Sequence, residues 1–575
     1  MYDLDMKRWI DWPVIPESPS AEDELKYEKS LSAYINRIAD RVSSSVVAEN
    51  AQRRRWLDTD PENTHEAVDI GLQWRPTFQA VEQTEGQRDD EFGRAFRWRA
   101  VRVLFVARSH TTLCSDMESS SQLANGARLT ISDRRDRRFV LGVTLIGSEM
   151  TLSVFNRSGC ITSDKFCVHR SPDYFLRVAV GVLFLGRTHL GFDPTISLIK
   201  SEIEVNLKIY KILSELYQES SLRGRGTACW KVERDGEIFA MKDTWVDTGH
   251  EDREGDILRL ADGISGIVQV KDEEHVKIDG QRDSTEWDLN FQVVEKRRPE
   301  TRQHTRRVFT PFGDPLFSFR NKRELLNAFI DVVDAHELLC QNNILHRNLS
   351  LSTILLTQVN PDDKTARRKA FLIDLDFAIR ESDITKGEKA GTPPYMAIEL
   401  LVIDLTRHER HHDSESLLYI FCCVCISCRG PNNDTRTDFD HSKLHDWRLG
   451  PPDRHHDIAS NKVASFFFRS NFGEDVLANF HPYFWDLLQC AVDLRDASYG
   501  DEEWDEWNII REAAHEEVRN VFKRALDGLC KDEEKSDIGS ECIDELVMKA
   551  MFQEENVEGE SDGGPGQGED GNVST

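Results

Sequence analysis

Apolar residues recur every three to four positions in EDELKYEKSLSAYINRIADRV (22–42), and this spacing predicts an amphipathic helix. A second long helix is expected at about 92–110, where Phe92, Phe96, Val103, Leu104 and Val106 supply apolar surface and several arginines the wet face. RRFVLGVTLIGSEMTLSVFNRSG (137–159) alternates apolar and polar positions on either side of a GSE turn, the pattern of a β-hairpin. FLRVAVGVLFLG (175–186) reads as a buried helix; it is interrupted by Arg177 and falls short of the ~20 residues that cross a bilayer. Residues 200–220 again have helical spacing. Beyond them, VFTPFGDPLFSF (308–319) reads as a strand running into a hinge, ELLNAFIDVVDAHELLC (324–340) as an amphipathic helix, and AFLIDLDFAI (370–379) as an apolar strand broken by two carboxylates.

At 575 residues the chain exceeds what one hydrophobic core supports, about 250–300 residues, so several domains are expected. Its net charge of -29 repels phosphate backbones and excludes nucleic acid as a main partner. DRRDRR (133–138) is a local exception and reads as a solvated charge run flanking the hairpin. The opening MYDLDMKRWIDW has neither the basic end nor the apolar core of a secretory signal, which points to an intracellular protein, cytoplasmic or nuclear, with no membrane partner. Twelve cysteines then imply reduced thiols. Cys422, Cys423, Cys425 and Cys428 tempt a zinc reading, but one continuous helix cannot wrap four thiolates around an ion, so they are read as core. After Lys549 the chain has no basic residue, and 551–575 is Gly-rich and acidic, hence a disordered tail.

The candidate chemistry lies in a series of short motifs. Gly224-Arg225-Gly226-Thr227 sits between β-like segments, where bare backbone amides could approach phosphate oxygens. Lys242 ends the β-rich run EIFAMK, and Glu254 opens the helical stretch 254–260 a dozen residues later. ILHRNLSLSTILL (344–356) has the rhythm of a phosphotransferase loop that reads H-R-D, four residues, then N, with Asn348 and Thr353 at the two reactive places. Asp374 and Asp376 follow in LIDLD, two carboxylates that could chelate Mg²⁺ through phosphate oxygens, and GTPPYMAIELL (391–401) supplies Thr392.

These motifs together, with EGDIL, RHHDSESLLYIF and, in the N-terminal half, RRFVLGVTLIG, FNRSG and LGFDPTI, resemble the fungal-type protein kinases, a divergent group close to the Ser/Thr protein kinases. The resemblance implies an α+β, bilobal kinase-like fold: an N-terminal α/β module (1–205), an N-lobe (206–310), a C-lobe (311–550) and the acidic tail. It implies ATP and Mg²⁺ as cofactors and a protein substrate or partner. Gly224, Gly226, Thr227 and Lys242 would hold the nucleotide, Glu254 would orient Lys242, Asp374 would hold the metal with Asp376 and Thr353 as weaker ligands, and Ser350 would stand in the loop's usual lysine position. Asp413 would brace the loop's backbone, and Arg347 would meet a phosphorylated activation segment, with Ser382 and Thr385 in reach.

Two positions depart from the family. Asn348 replaces the catalytic Asp and Thr353 replaces the metal-binding Asn, so an ATP-capable but catalytically impaired protein is expected, against the alternatives of an active kinase and of an interaction protein without nucleotide. QWRPTFQAVEQTEG offers Glu82 but has Thr84 where an E-x-K nuclease needs lysine, so the N-terminal module is expected to serve interactions.

Overall fold

The computed structural model describes residues 1–13, 20–43, 54–58, 78–82, 98–110, 115–248, 253–286, 300–359, 366–436, 455–500 and 514–529. Thr84, Phe92, Phe96 and the acidic tail lie outside these residues. The chain divides into two compact units: Met1–Gly236 with Met241–Gly249 and Asp272–Arg307, and Glu237–Ala240 with His250–Lys271 and Val308–Thr575.

In the first unit, helix α1 (Ala21–Ser43) opens on a reciprocal cap: Ser20 Oγ accepts the Asp23 amide at 3.2 Å while the Asp23 carboxylate accepts the Ser20 amide at 3.1 Å. A seven-stranded sheet follows, built from β1 (Arg54–Asp58), β2 (Phe78–Glu82), β3 (Val103–Arg108), β4 (Phe139–Ile146), β5 (Glu149–Asn156), β6 (Gly159–Thr162) and β7 (Phe166–Cys167). The first six pair in chain order, and β7 adds to β5. Strands β3 and β4 are parallel, and the crossover they require is helix α2 (Ser115–Asp133). Alternation along β3 separates two cores: Val103, Phe105 and Ala107 pack with Leu31 and Ile35 of α1, whereas Leu104 and Val106 pack with Leu123, Ala127 and Ile131 of α2.

This placement corrects the helix expected over 92–110. Residues 103–108 are a strand covered on both faces, and such strands read as continuous apolar runs whose period does not separate them from buried helix. The expected helix at 200–220 is likewise replaced, by β9 (Glu202–Val205) and β10 (Lys208–Gln218). They belong to a second seven-stranded sheet with β8 (Ile196–Ser197), β11 (Ala228–Arg234), β12 (Glu237–Asp247), β13 (Gln269–His275) and β14 (Arg302–Thr310), ordered β8-β9-β10-β11-β12-β14-β13. Apolar residues fall on both faces of β10, with Tyr210 buried and Ile209 and Leu213 exposed, and so imitate a helical spacing. Position 205 sits at the mouth of the β9–β10 hairpin, where Val205 pairs with Lys208, so no unit boundary falls there.

DRRDRR is also not the solvated run expected of it. Arg137 is only 3% exposed, Arg138 makes a two-pronged ion pair with Asp283 at 2.8 and 2.9 Å, and Arg134 folds back on Asp136.

The second unit is built around helices α4 (Lys322–Gln341), α5 (Arg410–Ser427), α6 (Leu488–Tyr499) and α7 (His515–Gly528), with the short helix α3 (Arg253–Leu260) preceding them in the chain. Asn321 caps α4 by accepting the Glu324 amide at 2.8 Å. Buried side chains cover every face of α5 from His412 to Ser427, as befits a helix at the centre of a core. Burial pushes the Cys422 and Cys425 thiols well up, so they stay neutral and serve packing as expected. Short strands β15 (Gly313–Pro315), β16 (Ile354–Thr357) and β17 (Ala370–Leu372) form a three-stranded sheet beside the loop that carries the candidate chemistry.

Candidate functional site

The loop 346–353 is held from below by one buried carboxylate. Asp413, 1% exposed, accepts the Arg347 amide at 3.0 Å, His336 Nε2 at 3.0 Å and His408 Nε2 at 3.0 Å. Burial alone would raise its pKa; His408 and His336 outweigh burial and hold it well below the usual carboxylate range. Burial likewise opposes the charge on His336, but Cys340 and Asp413 lift it to about 10. His336 Nδ1 lies 2.8 Å from His515 Nε2, which continues the brace into α7. The brace lets Arg347 take φ +64, a left-handed conformation costly for a side chain of this size, and Asp374 sits at φ +60 across the loop.

His346, fully buried, donates from Nε2 to the Ile373 carbonyl at 3.2 Å, while Nδ1 accepts the Asn348 amide at 3.3 Å. Both nitrogens are therefore used in the neutral form, and burial pushes the pKa down to about 4.

At the reactive places the side chains are tied up within the loop and its neighbour segment. Asn348 Oδ1 accepts the Thr392 hydroxyl at 2.7 Å. Thr353 Oγ1 accepts the Ser350 amide at 3.0 Å and lies 3.2 Å from the Asn348 carbonyl, so it closes the loop on itself. Ser350 is buried, with its hydroxyl 2.8 Å from that of Ser352.

The structure brings three of the expected acidic residues together. Glu254, Asp374 and Asp376 each offer a carboxylate oxygen, and these atoms lie within 4.8 Å of one another. A set of hard oxygen donors at this spacing fits a divalent cation such as Mg²⁺, which takes one or two carboxylates and keeps waters and phosphate oxygens for the rest.

Lys242 is carried, partly buried, in the first-unit part of β12. The glycine stretch lies in the β10–β11 connection: the Gly224 amide donates to the Arg157 carbonyl at 3.0 Å, and the Thr227 amide to Glu219 at 3.1 Å. Gly226 takes φ +54, and a Cβ there would meet the Arg157 guanidinium at 2.2 Å.

Several partners had no signal in the sequence. Arg347 Nη2 meets Glu388 at 3.3 Å, and Thr385 donates to the same carboxylate at 3.2 Å, so the segment itself supplies Arg347 with an anion. His336 and His408 lie 77 and 5 residues from Asp413, and only packing of α4 against α5 reveals the first.

An Asp-braced loop, a carboxylate cluster following it and a strand lysine in a sheet-plus-helix chain define a protein of the kinase class. The family model described as fungal protein kinase matches residues 77–425, and the chain belongs to that family. No curated protein matches it. Kinases of this family in general use ATP and a divalent metal.

Proposed function

We propose that this chain is an ATP- and Mg²⁺-binding member of the fungal protein kinase family in which phosphoryl transfer is impaired, and that it acts by binding a protein partner as a regulator or scaffold. The observation that carries this reading is the state of the reactive loop: Asn348 spends its carbonyl oxygen on Thr392 at 2.7 Å, and Thr353 spends its hydroxyl on the loop backbone. A neutral amide cannot take the proton of a substrate hydroxyl, and loss of a general base typically lowers rate by about 10²- to 10⁴-fold. Nucleotide binding needs neither residue. Asp374 and Asp376 would hold Mg²⁺, Lys242 would meet the phosphates, and the bound metal would supply charge neutralisation at the phosphate oxygens.

A second reading, an active Ser/Thr kinase, is favoured by the intact brace, since much of phosphoryl transfer is positioning. Titrating labelled ATP with and without Mg²⁺ tests the first claim: binding should require Mg²⁺, and both Lys242→Ala and Asp374→Asn should weaken it. Restoring Asn348→Asp with Thr353→Asn and assaying transfer to a generic protein substrate tests the second. A gain of two orders of magnitude or more supports impairment; equal rates favour the active reading.

A further inference from the structure

The first unit contains a small polar recess lined by Arg135, Arg137, Arg138 and Arg157 together with Asp193, Asp243 and His304. The acidic members are already matched. Arg306 lies 2.9 Å from Asp193 and 3.2 Å from Asp243, and His304 sits 2.8 Å from Asp243 and 3.0 Å from Asp283. Asp243 and Asp283 overcome burial and keep His304 protonated, its pKa lifted to about 9.

The arginines are not all matched. Arg138 is held by Asp283 and Arg135 by Glu215, but Arg137 and Arg157 make no ion pair within 4 Å among the described residues. Both are nearly inaccessible, at 3% and 4% exposure. Arg137 donates from Nη2 to the Arg102 carbonyl and lies 4.3 Å over the Phe192 ring, leaving Nε and Nη1 without an acceptor. Arg157 donates from Nη1 to the Ser221 carbonyl and leaves Nε without one. A cation–π contact and single carbonyl bonds offset only part of the cost of burying two guanidinium ions. Burial pushes Arg137 down to about 9 and Arg157 down to about 10, as for cations short of counter-charge. Gly226 keeps the recess open, because any side chain there would run into Arg157.

We propose that this recess binds a phosphate-sized oxyanion, either inorganic phosphate or the phosphate of a small phosphomonoester, with Arg137 and Arg157 as its principal donors. Planar guanidinium forks suit tetrahedral oxyanions, and a recess this confined has room for a small ion and none for a nucleotide. The site shares Gly226 with the expected nucleotide loop but uses none of Lys242, Glu254, Asp374 and Asp376.

The test is calorimetric titration and thermal unfolding of the full chain in phosphate-free buffer, adding inorganic phosphate or O-phosphoserine against chloride at matched ionic strength. Saturable binding at one site is expected, with a rise in Tm that chloride does not reproduce. The rise should persist in Lys242→Ala, which separates this site from any phosphate response of the kinase centre. Arg137→Leu should abolish it and, by removing an unmatched buried charge, unfold no earlier than wild type in phosphate-free buffer. Arg157→Lys keeps the charge and loses the fork, and should weaken phosphate by about tenfold; it serves if Arg137→Leu does not fold. Preference for O-phosphoserine assigns the phosphomonoester source, and preference for inorganic phosphate the free ion. Absence of saturable phosphate binding by wild type, or an undiminished response in Arg137→Leu or Arg157→Lys, overturns the proposal.

Discussion

Mild acid should selectively weaken the second unit, because two buried histidines there are built to be neutral. His412 is 1% exposed; its Nδ1 accepts the Glu409 amide at 2.8 Å and its Nε2 lies 3.1 Å from Glu399. A second proton would have to sit on the lone pair that already takes the Glu409 amide, just as protonating His346 would break its bond from the Asn348 amide. Burial, with His411 and His408 adding for His412, lowers the two pKa values to about 2 and about 4. An unfolded histidine titrates near 6.5, so below that pH the unfolded chain takes up protons that the folded one refuses. Their stabilisation is complete above pH ~6.5 and drains away as pH falls toward about 4 for His346 and about 2 for His412. Between pH 7 and 5 each should cost about 2 kcal/mol. His336, lifted to about 10, works in the opposite sense and returns about 1 kcal/mol over the same interval. These three groups together leave a net loss of about 3 kcal/mol, and His515, lowered to about 4 by burial and His336, acts in the same direction as His346 and His412. Urea unfolding followed by circular dichroism at pH 7 and pH 5 measures it, and His346→Gln and His412→Gln should each remove about 2 kcal/mol of the pH dependence. A wild-type midpoint that does not move between the two pH values, or a double variant with an unchanged dependence, would refute the reasoning.

Three further outcomes follow from single contacts. Asp413→Asn leaves His336, His408 and the Arg347 amide without their shared anion and should cost about 3–5 kcal/mol in thermal unfolding; a loss near zero would mean that the brace does not hold the loop. Gly266→Ala places a methyl at φ +78 and 2.6 Å from the Ala335 Cβ, and should cost about 1–3 kcal/mol, measured as a lower urea midpoint. In the first unit, His304 at about 9 is raised above its unfolded value, so its stabilisation is full below pH ~6.5 and declines as pH rises through about 9; His304→Gln should flatten that alkaline decline in a thermal-shift series.

How much was legible from the residues depended on what each reading needed. The β4–β5 hairpin, α1, α4 and the buried α5 cysteines were visible because their patterns are local and their periods distinct. The strands at 103–108 and 202–218 were not, since a run apolar on both faces carries no usable period and only the neighbouring strands choose its conformation. The arginines of DRRDRR were misread for a related reason. Charge predicts exposure on average, and Arg138 is withdrawn from solvent by Asp283, 145 residues away.

The sequence by itself determined the family, through an ordered set of short motifs, and the presence of a neutral amide at 348, which is a property of the residue wherever it sits. Tertiary structure alone decided what surrounds those residues. It joined Glu254 to Asp374 and Asp376, paired Arg347 with Glu388, and buried Arg137 and Arg157 short of counter-charge. Electrostatic energy depends on the distance between charges in space and on the water excluded around them, and neither is a function of separation along the chain.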